Sequence, residues 1–592
     1  MPTESFASLK RLIDIGIALS AEKNPERLME RILLEAKDLA NADAGTLYIR
    51  TEENQLRFAI MRTDSLGIAQ GGTTGLTIEL PPIAMYGDDG KPNLTNIASY
   101  SAITGETTNI EDAYDSDRFD FSGPKRFDQS THYRSTSFLT VPLSNRQGEA
   151  IGVLQLLNAL DPETGNVIPF TSEIQPLIEA LASQAAVALE NQNLIDSQRR
   201  LLDSFIELLA TAVDAKSPYT GGHCQRVPEL TEMLTQAVCS TQTGIYRDFD
   251  LDDEQWYELK VGAWLHDCGK VTTPEYVVDK ATKLETIYDR IHEVRMRFEV
   301  MKCEAVIKYQ QDLLDGKGRK KADRDLMKKK LDSKLAKIDD DFAFIAKCNI
   351  GGEFMDETDM DRVRKIGKQK WTRTLDNRLG ISMEEARRKG RIAPKKLPRK
   401  ESVLEDRPDH IVEHDSVNYA ADPKNPFGFK LTVPEYKFNL GEIYNLCIPR
   451  GTLTPEERFK INDHIVQTIV MLEQLPFPKN LERVPEIAGG HHEKMDGTGY
   501  PKGLMGSEMS VPARVMAIAD VFEALTAADR PYKAPKKLSE SIRIMSDMVK
   551  NQHLDPELFR IFLKSEVYLD YARRFLEPAQ IDEVDIAKYL AE

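Results

Sequence analysis

The chain has 592 residues, with 78 Lys and Arg against 95 Asp and Glu, a formal net charge of −17. This acidic balance excludes a protein built mainly to coat a nucleic acid polymer, though not a local basic pocket for a phosphorylated ligand. The length allows several domains. Six cysteines without a Cys-x-x-Cys pair, no apolar run long enough for a membrane span and no signal-peptide pattern point to a reduced, cytoplasmic, multidomain protein.

The segment 1–173 reads as α+β. Asn24-Pro25-Glu26 offers an N-cap, a proline at the first helical position and an early acid before an amphipathic run to Leu39. Strands are predicted at Gly45–Arg50, Gln55–Met61, Ser137–Leu143 and Glu149–Asn158, with a hairpin loop over Asn145–Gly148. The Gly-, Asp-, Ser- and Thr-rich stretch from Thr63 to Tyr133 predicts loops over one face of the sheet. In 174–213 apolar residues recur at steps of four and three: Ile174, Ile178, Leu181, Ala185, Ala188, Ile195, Leu202, Ile206, Leu209 and Val213. That repeat predicts a long connecting helix paired as a coiled coil with a second copy; the alternative is a helix packed on its own domain. From 214 to 592 the chain reads mostly helical. About 296–450 stands apart, with a charged helical stretch, proline- and charge-rich sequence near Ala393–Arg407, and a strand-like region Phe427–Tyr444.

Ten histidines are placed unevenly. His266-Asp267 stands in Trp264-Leu265-His266-Asp267-Cys268-Gly269-Lys270, and His491-His492 opens a run that ends at Gly499-Tyr500-Pro501. Adjacent His-Asp and His-His pairs among apolar neighbours are costly unless something uses them. Imidazole with carboxylate suits Mn, Fe or Zn, and the carboxylate can bridge two ions. His223, His464 and Asp520 are further candidates. Asp520 follows the apolar run Val515–Ala519, and a buried carboxylate wants a metal or a cation beside it. Lys270, four residues after His266, is expected on the same helix face. Cys268 reads as packing.

These residues carry a resemblance. From about Asp203 onward, outside 296–450, the chain resembles the HD-GYP family of phosphodiesterases within the HD superfamily. The motifs are Thr220-Gly221-Gly222-His223 with Arg226-Val227, then His266-Asp267-Cys268-Gly269-Lys270, then His491-His492-Glu493 with Asp496-Gly497 and Gly499-Tyr500-Pro501. Ala519-Asp520-Val521-Phe522 and Arg530-Pro531-Tyr532-Lys533 follow. The resemblance implies an all-α domain, here interrupted by a large insertion, that binds divalent metal ions, with Fe or Mn favoured, and hydrolyses cyclic di-GMP to pGpG or GMP. It implies that His223, His266, Asp267 and Asp520 hold one metal, and that Asp267 bridges to a second held by His491, His492 and one further histidine. Lys270 would meet a phosphate oxygen, while Arg530 and Lys533 would grip the dinucleotide. A hydroxide made available between two cations would attack the phosphodiester as the ions and Lys270 neutralise the growing charge.

Two departures bear on this reading. Some members place a Glu four residues before the first histidine and hold a third metal; Tyr219 occupies that position, so two ions are expected. The family's Lys-Leu-Thr-x-Glu-Glu pattern with a histidine 11 residues past the Leu fails after Leu284, where position 295 is Arg295. Leu453-Thr454-Pro455-Glu456-Glu457 restores it, with His464 in step, so His464 rather than His292 is the expected ligand and 296–450 an insertion.

The first 173 residues resemble a GAF domain, a sensory fold with a six-stranded sheet, on Leu139–Leu143, Gly152–Asn158 and Pro169-Phe170-Thr171. The match to cyclic-nucleotide-binding members is partial, since Ala159 follows Asn158. The expected whole is a GAF-regulated cyclic di-GMP phosphodiesterase, a homodimer through the connecting helix, with the insertion open to a protein partner. The alternatives are a catalytically weak cyclic-dinucleotide sensor or scaffold, and an HD hydrolase of another cyclic nucleotide.

Overall fold

The computed structural model describes residues 2–216, 222–352, 354–414, 424–528 and 535–590. The chain divides into two compact units, Met1–Leu202 and Asp203–Glu592.

The first unit opens with helices α1 (Pro2–Ala21) and α2 (Pro25–Ala40). The Asn24 side chain accepts the Arg27 N–H at 3.0 Å, and α2 ends where Asn41 turns left-handed, so both ends are set by local chemistry. Strands β1 (Ala42–Arg50), β2 (Gln55–Thr63), β3 (Ile68–Gly71), β4 (Ile83–Ala84), β5 (Thr108–Ile110), β6 (Phe138–Ser144), β7 (Ala150–Leu160) and β8 (Val167–Ile168) form one antiparallel sheet. Its path runs β3-β2-β1-β7-β6-β5, with β4 beside β2 and β8 beside β7. Helices α3 (Ile97–Thr104) and α4 (Ser122–Thr131) lie in the stretch expected to be loops. Asn158 adopts a positive φ of 54°, accepts the Thr136 and Ser137 N–H groups and donates to the Arg134 carbonyl. Its side chain is thus committed to the local turn.

Helix α5 runs Ile174–Lys216. Its apolar seam does two different things. Ile178, Leu181, Ala182, Ala185, Ala186 and Leu189 are buried with α1, α2 and sheet residues Leu139, Leu154 and Leu156. Here the helix packs on its own unit. Further on the seam divides: Ile206 and Val213 are buried while Ile195 and Leu209 are about half exposed, and Leu194, Leu201, Phe205 and Leu208 beside the seam are exposed by more than half.

In the second unit α6 (His223–Cys239) and α7 (Asp253–Leu265) precede a 3-10 turn at Cys268–Thr272 and α8 (Glu275–Val278). Then come α9 (Ile291–Leu314), α10 (Lys321–Ile350), α11 (Glu357–Gly367), β9 (Lys370–Arg373), α12 (Met383–Gly390), β10 (Arg399–Ser402), β11 (Ile411–Val412), β12 (Phe438–Asn439) and α13 (Glu442–Leu446). These gather a core of their own around Ile291, Phe298, Ile338, Ile345, Val363 and Leu404. Helix α9 begins at Ile291, so position 296 falls inside it. The strand expected over Phe427–Tyr444 shrinks to β12, because β11 offers only two residues to pair with. Phe427, Phe429 and Leu431 instead pack on Val466, Ile469 and Val470.

The chain continues with α14 (Pro455–Glu473), α15 (Val484–Gly489), α16 (Val511–Thr526), α17 (Leu538–Lys550), α18 (Pro556–Lys564), α19 (Val567–Phe575) and α20 (Ala587–Leu590). A helical core joins α6, α7 and α16 to α19 around Phe522, Phe562 and Tyr571. Among the described residues no helix is long and apolar enough to cross a membrane.

Candidate metal centre

Three helix ends and the middle of a fourth helix deliver the imidazoles. His266 closes α7, a helix opened by a reciprocal capping box between Asp252 and Gln255. His464 lies on α14, capped in the same way by Thr454 and Glu457 with Pro455 at its first position. His491 and His492 follow α15, and His223 opens α6. His223, His266, His464 and His491 are each at most 4% exposed.

The other ring nitrogen explains the orientation. Nδ1 of His266 faces the Ala263 carbonyl at 2.7 Å, His464 Nδ1 the Ile461 carbonyl at 2.5 Å, and His491 Nδ1 the Ala488 carbonyl at 2.8 Å. A carbonyl only accepts, so each Nδ1 carries the proton and each Nε2 presents a lone pair. Nε2 of His223, His266, His464 and His491 is buried with no hydrogen-bond partner among the described residues.

Asp267 stands between them. Its Oδ2 lies 3.1 Å from His223 Nε2 and 3.3 Å from His266 Nε2, and its Oδ1 lies 3.2 Å from His464 Nε2. Asp520 Oδ1 is 3.4 Å from His223 Nε2. A lone-pair nitrogen facing a carboxylate oxygen this closely needs a cation between them, a proton or a metal ion. Two donor groups, His223 with His266 and Asp267, and His464 with His491 and His492, each place their ligand atoms within 4.8 Å of one another. Either could hold a divalent ion, and Asp267 has one oxygen toward each.

The electrostatics favour such use at Asp267 and at the His-His pair, whereas at His223 burial is outweighed by Glu523, which raises the imidazole well above its ordinary value. Burial alone would raise the Asp267 carboxyl, but Lys270 and His266 hold it well below its ordinary range. Burial and the neighbouring His266 push the His491 imidazole down to about 4, and burial pushes His492 down as well, keeping both neutral.

Comparison with known proteins then bears on the chain directly. An HD-domain family model matches residues 400–558, and a GAF-domain model matches residues 24–189. The chain carries an HD domain and a GAF domain. Over 115 residues it is 40% identical to a 3′3′-cGAMP-specific phosphodiesterase of Vibrio cholerae, covering 19% of this chain and 26% of that protein. Over 82 residues it is 45% identical to a cyclic di-GMP phosphodiesterase of Pseudomonas aeruginosa, covering 14% and 19%. A cyclic di-GMP phosphodiesterase of Thermotoga maritima is 38% identical over 121 residues, covering 20% and 32%. The matched segment spans about a quarter of the length of these curated relatives.

The HD-domain match includes His464, His491, His492 and Asp520; His223, His266 and Asp267 join them from the far side of the inserted helices. His292 lies elsewhere, exposed, with Nδ1 2.7 Å from Arg295 Nη1. Lys270 departs from expectation. It sits on the 3-10 turn rather than on the His266 helix, and its ammonium donates to Asp267 Oδ2 at 2.5 Å. Cys268 is buried, its thiol pushed up to about 11 by desolvation. Tyr219, Arg530 and Lys533 lie outside the described residues.

Motif reading missed Glu523 and Thr468, which support the HD domain, and named Glu493 without a role. Glu523, one turn beyond Asp520 on α16, is 1% exposed; its carboxylate faces His223 Nδ1 at 2.5 Å and accepts from Arg226 Nε at 2.8 Å. Burial opposes its charge, yet His223 and Arg226 draw its carboxyl down to about 2. Thr468, fully buried on α14, accepts the Gly269 N–H at 2.9 Å and donates to the His266 carbonyl. Glu493 accepts the N–H groups of Lys502, Gly503 and Leu504, closing the loop after the His-His pair. In that loop a Cβ at Gly499 would fall 2.4 Å from backbone atoms of Glu493 and Lys494, so only glycine fits. Tyr500 then stacks on His492, with centroids 4.8 Å apart and planes at 18°. A signal for Glu523 existed in its i+3 spacing from Asp520, but its partners lie about 300 positions away.

Proposed function

We propose that the HD domain is a metal-dependent phosphodiesterase that opens cyclic di-GMP to pGpG or GMP, and that the GAF domain regulates it. The observation carrying this reading is the set of four buried imidazole nitrogens without a hydrogen-bond partner, three of which, on His223, His266 and His464, lie 3.1–3.3 Å from Asp267. His223, His266, Asp267 and Asp520 would hold one ion, and Asp267, His464, His491 and His492 a second, with Fe or Mn favoured. Bound, these ions supply Lewis acidity that makes water nucleophilic near neutral pH. The chain's own part is to orient and exclude. Main-chain carbonyls and Glu523 fix the rings, and the apolar flanks of the motif keep bulk water out. Lys270 stays cationic, since Asp267 outweighs the burial that would discharge it, and it can meet a phosphoryl oxygen as a point charge. Arg530 and Lys533 would grip the phosphates or bases, and Tyr219 in place of a carboxylate supports two ions rather than three.

The test is the full chain loaded with Mn or Fe(II) and given cyclic di-GMP, with products resolved by chromatography. Release of pGpG or GMP that vanishes in Asp267→Ala is the expected result. Tight binding without turnover would replace the enzyme by a sensor. A second substrate reading has its own support in the relative named for 3′3′-cGAMP; turnover of that dinucleotide alone would shift the assignment.

Glu523 should act through His223. Glu523→Ala leaves Nδ1 without its acceptor and is expected to weaken metal affinity about 10- to 100-fold, measured by titrating Mn into the apo protein. Unchanged affinity would remove the positioning role.

Regulation would pass through α5. Near its end Lys216 donates to the Lys270 carbonyl at 3.3 Å and to that of Val271, and Asp214 accepts the Gly222 N–H at 3.0 Å. These bonds tie the helix to the backbone on either side of His223 and Lys270. The exposed apolar residues from Leu194 to Leu209 would pair with a second copy. Leu201→Ser with Leu208→Ser is expected to give monomers by sedimentation velocity; a wild-type chain already monomeric at micromolar concentration would end the dimer reading.

A further inference from the structure

Between Arg364 and Lys400 the chain carries 14 Lys and Arg against 3 Asp and Glu, within a protein of net charge −17. The excess begins in the last turn of α11 and continues through β9, the loop after it, α12 and the approach to β10. Part of it is paired locally, as Arg364, Arg373, Lys389 and Arg391 are with carboxylates, while Arg387, Lys395 and Lys396 are exposed.

Apolar residues protrude from the same stretch. Leu375 is 80% exposed, Leu379 77% and Met383 81%. They are held there by a built loop. Arg378 Nη2 donates to the carbonyls of Lys389, at 3.0 Å, and of Ile392, while Lys389 Nζ donates to the Asn377 carbonyl at 2.6 Å. These bonds clamp the loop to the last turn of α12, so the apolar tips and the basic residues share one rigid support.

The occupant must satisfy both features. A nucleic acid polymer answers the charge but offers no apolar phase for Leu and Met tips. A folded acidic protein would need a separate pocket for each of three projecting side chains. An anionic bilayer supplies headgroup phosphates for the ammonium and guanidinium groups and, a few ångströms deeper, an acyl boundary that moulds around apolar tips. We propose that this basic, apolar-tipped edge of the insertion docks the protein on an anionic phospholipid surface. The proposal is independent of the metal centre and of its chemistry.

The test is co-sedimentation of the full chain with vesicles of phosphatidylcholine alone or mixed with phosphatidylglycerol. Binding is expected only to the anionic vesicles, weakening as salt rises. Each charge near the surface contributes roughly fivefold, so Arg387→Gln/Lys395→Gln/Lys396→Gln should weaken partition on the order of a hundredfold. Leu375→Ser/Leu379→Ser/Met383→Ser, changed where the side chains touch little, should weaken it about tenfold or more. Three results would overturn the proposal: no binding of the wild-type chain to anionic vesicles, binding untouched by the serine variant, or stronger retention by duplex DNA or polyglutamate that ignores the serine variant. The wild-type measurement decides the first of these without any variant.

Discussion

Gly269→Ala is expected to damage both the stability and the chemistry of the HD domain. A Cβ at this position would lie 1.9 Å from the His464 carbonyl oxygen and 2.5 Å from the Thr468 backbone nitrogen. Neither obstacle is a flexible side-chain end. An ordinary carbon–oxygen contact needs roughly 3.3 Å, so α14 must retreat on the order of 1 Å from the 3-10 turn. Two costs follow. The Gly269 N–H loses its bond to Thr468 Oγ1 in a buried setting, about 1–3 kcal/mol, and the displaced packing adds a similar amount. The retreat also carries His464 away from Asp267, where it now sits 3.2 Å off. A misplacement of about 1 Å costs on the order of a hundredfold in rate. Thermal unfolding followed by near-ultraviolet dichroism, with bound Mn counted in parallel, checks both effects. Thr468→Val is the graded control: it removes the hydroxyl without pushing the helix, so it should cost stability and spare most of the metal. An alanine variant with unchanged midpoint and full metal content would show that the turn and α14 are not in register as described.

The same contact shows where sequence reading reaches and where it stops. His464 could be told from His292 because the spacing after Leu453 belongs to a helix start with a physical signature, Thr454-Pro455-x-Glu457, and the structure caps α14 through those residues. The motifs likewise single out seven side chains that the fold brings together. Their supports were not legible. Thr468 is 199 positions from Gly269, and Glu523 is 300 from His223, so no local pattern links them. The heptad repeat in α5 was legible as a period but not as a partner. Periodicity says that one face is apolar; it does not say whether the α1–α2 layer or another chain covers it, and here its first half is covered from within and Ile206 and Val213 further on are buried as well. The GAF-domain strands were found through alternation and the Asn145–Gly148 turn, whereas α3 and α4 were lost among Gly-, Asp- and Ser-rich sequence. Helix α3 depends on one residue, Asn96, whose side chain accepts the N–H groups of Ala98 and Ser99.

The base of the insertion provides the other large expectation. Lys280 and Glu457 lie 177 positions apart, on opposite sides of the inserted helices, yet Lys280 Nζ donates to both Glu457 carboxylate oxygens at 2.8 Å. Their side chains are 1% and 5% exposed. Glu457 is also the third residue of the α14 cap, so the pair fastens the splice point to the helix that carries His464. Lys280→Met should leave a buried carboxylate without its cation, at a cost of about 3–5 kcal/mol. Lys280→Met combined with Glu457→Gln removes both charges and keeps a residue able to complete the capping box. The double variant is expected to recover most of the lost stability, since replacing a buried ion pair whole is far less costly than halving it. Chemical denaturation of the wild type and the single and double variants makes the comparison. A double variant no more stable than Lys280→Met would show that the pair itself, rather than an uncompensated charge, holds the splice closed. Because α14 positions His464, the single variant should also bind Mn more weakly than the double, linking the integrity of the insertion's base to the metal centre.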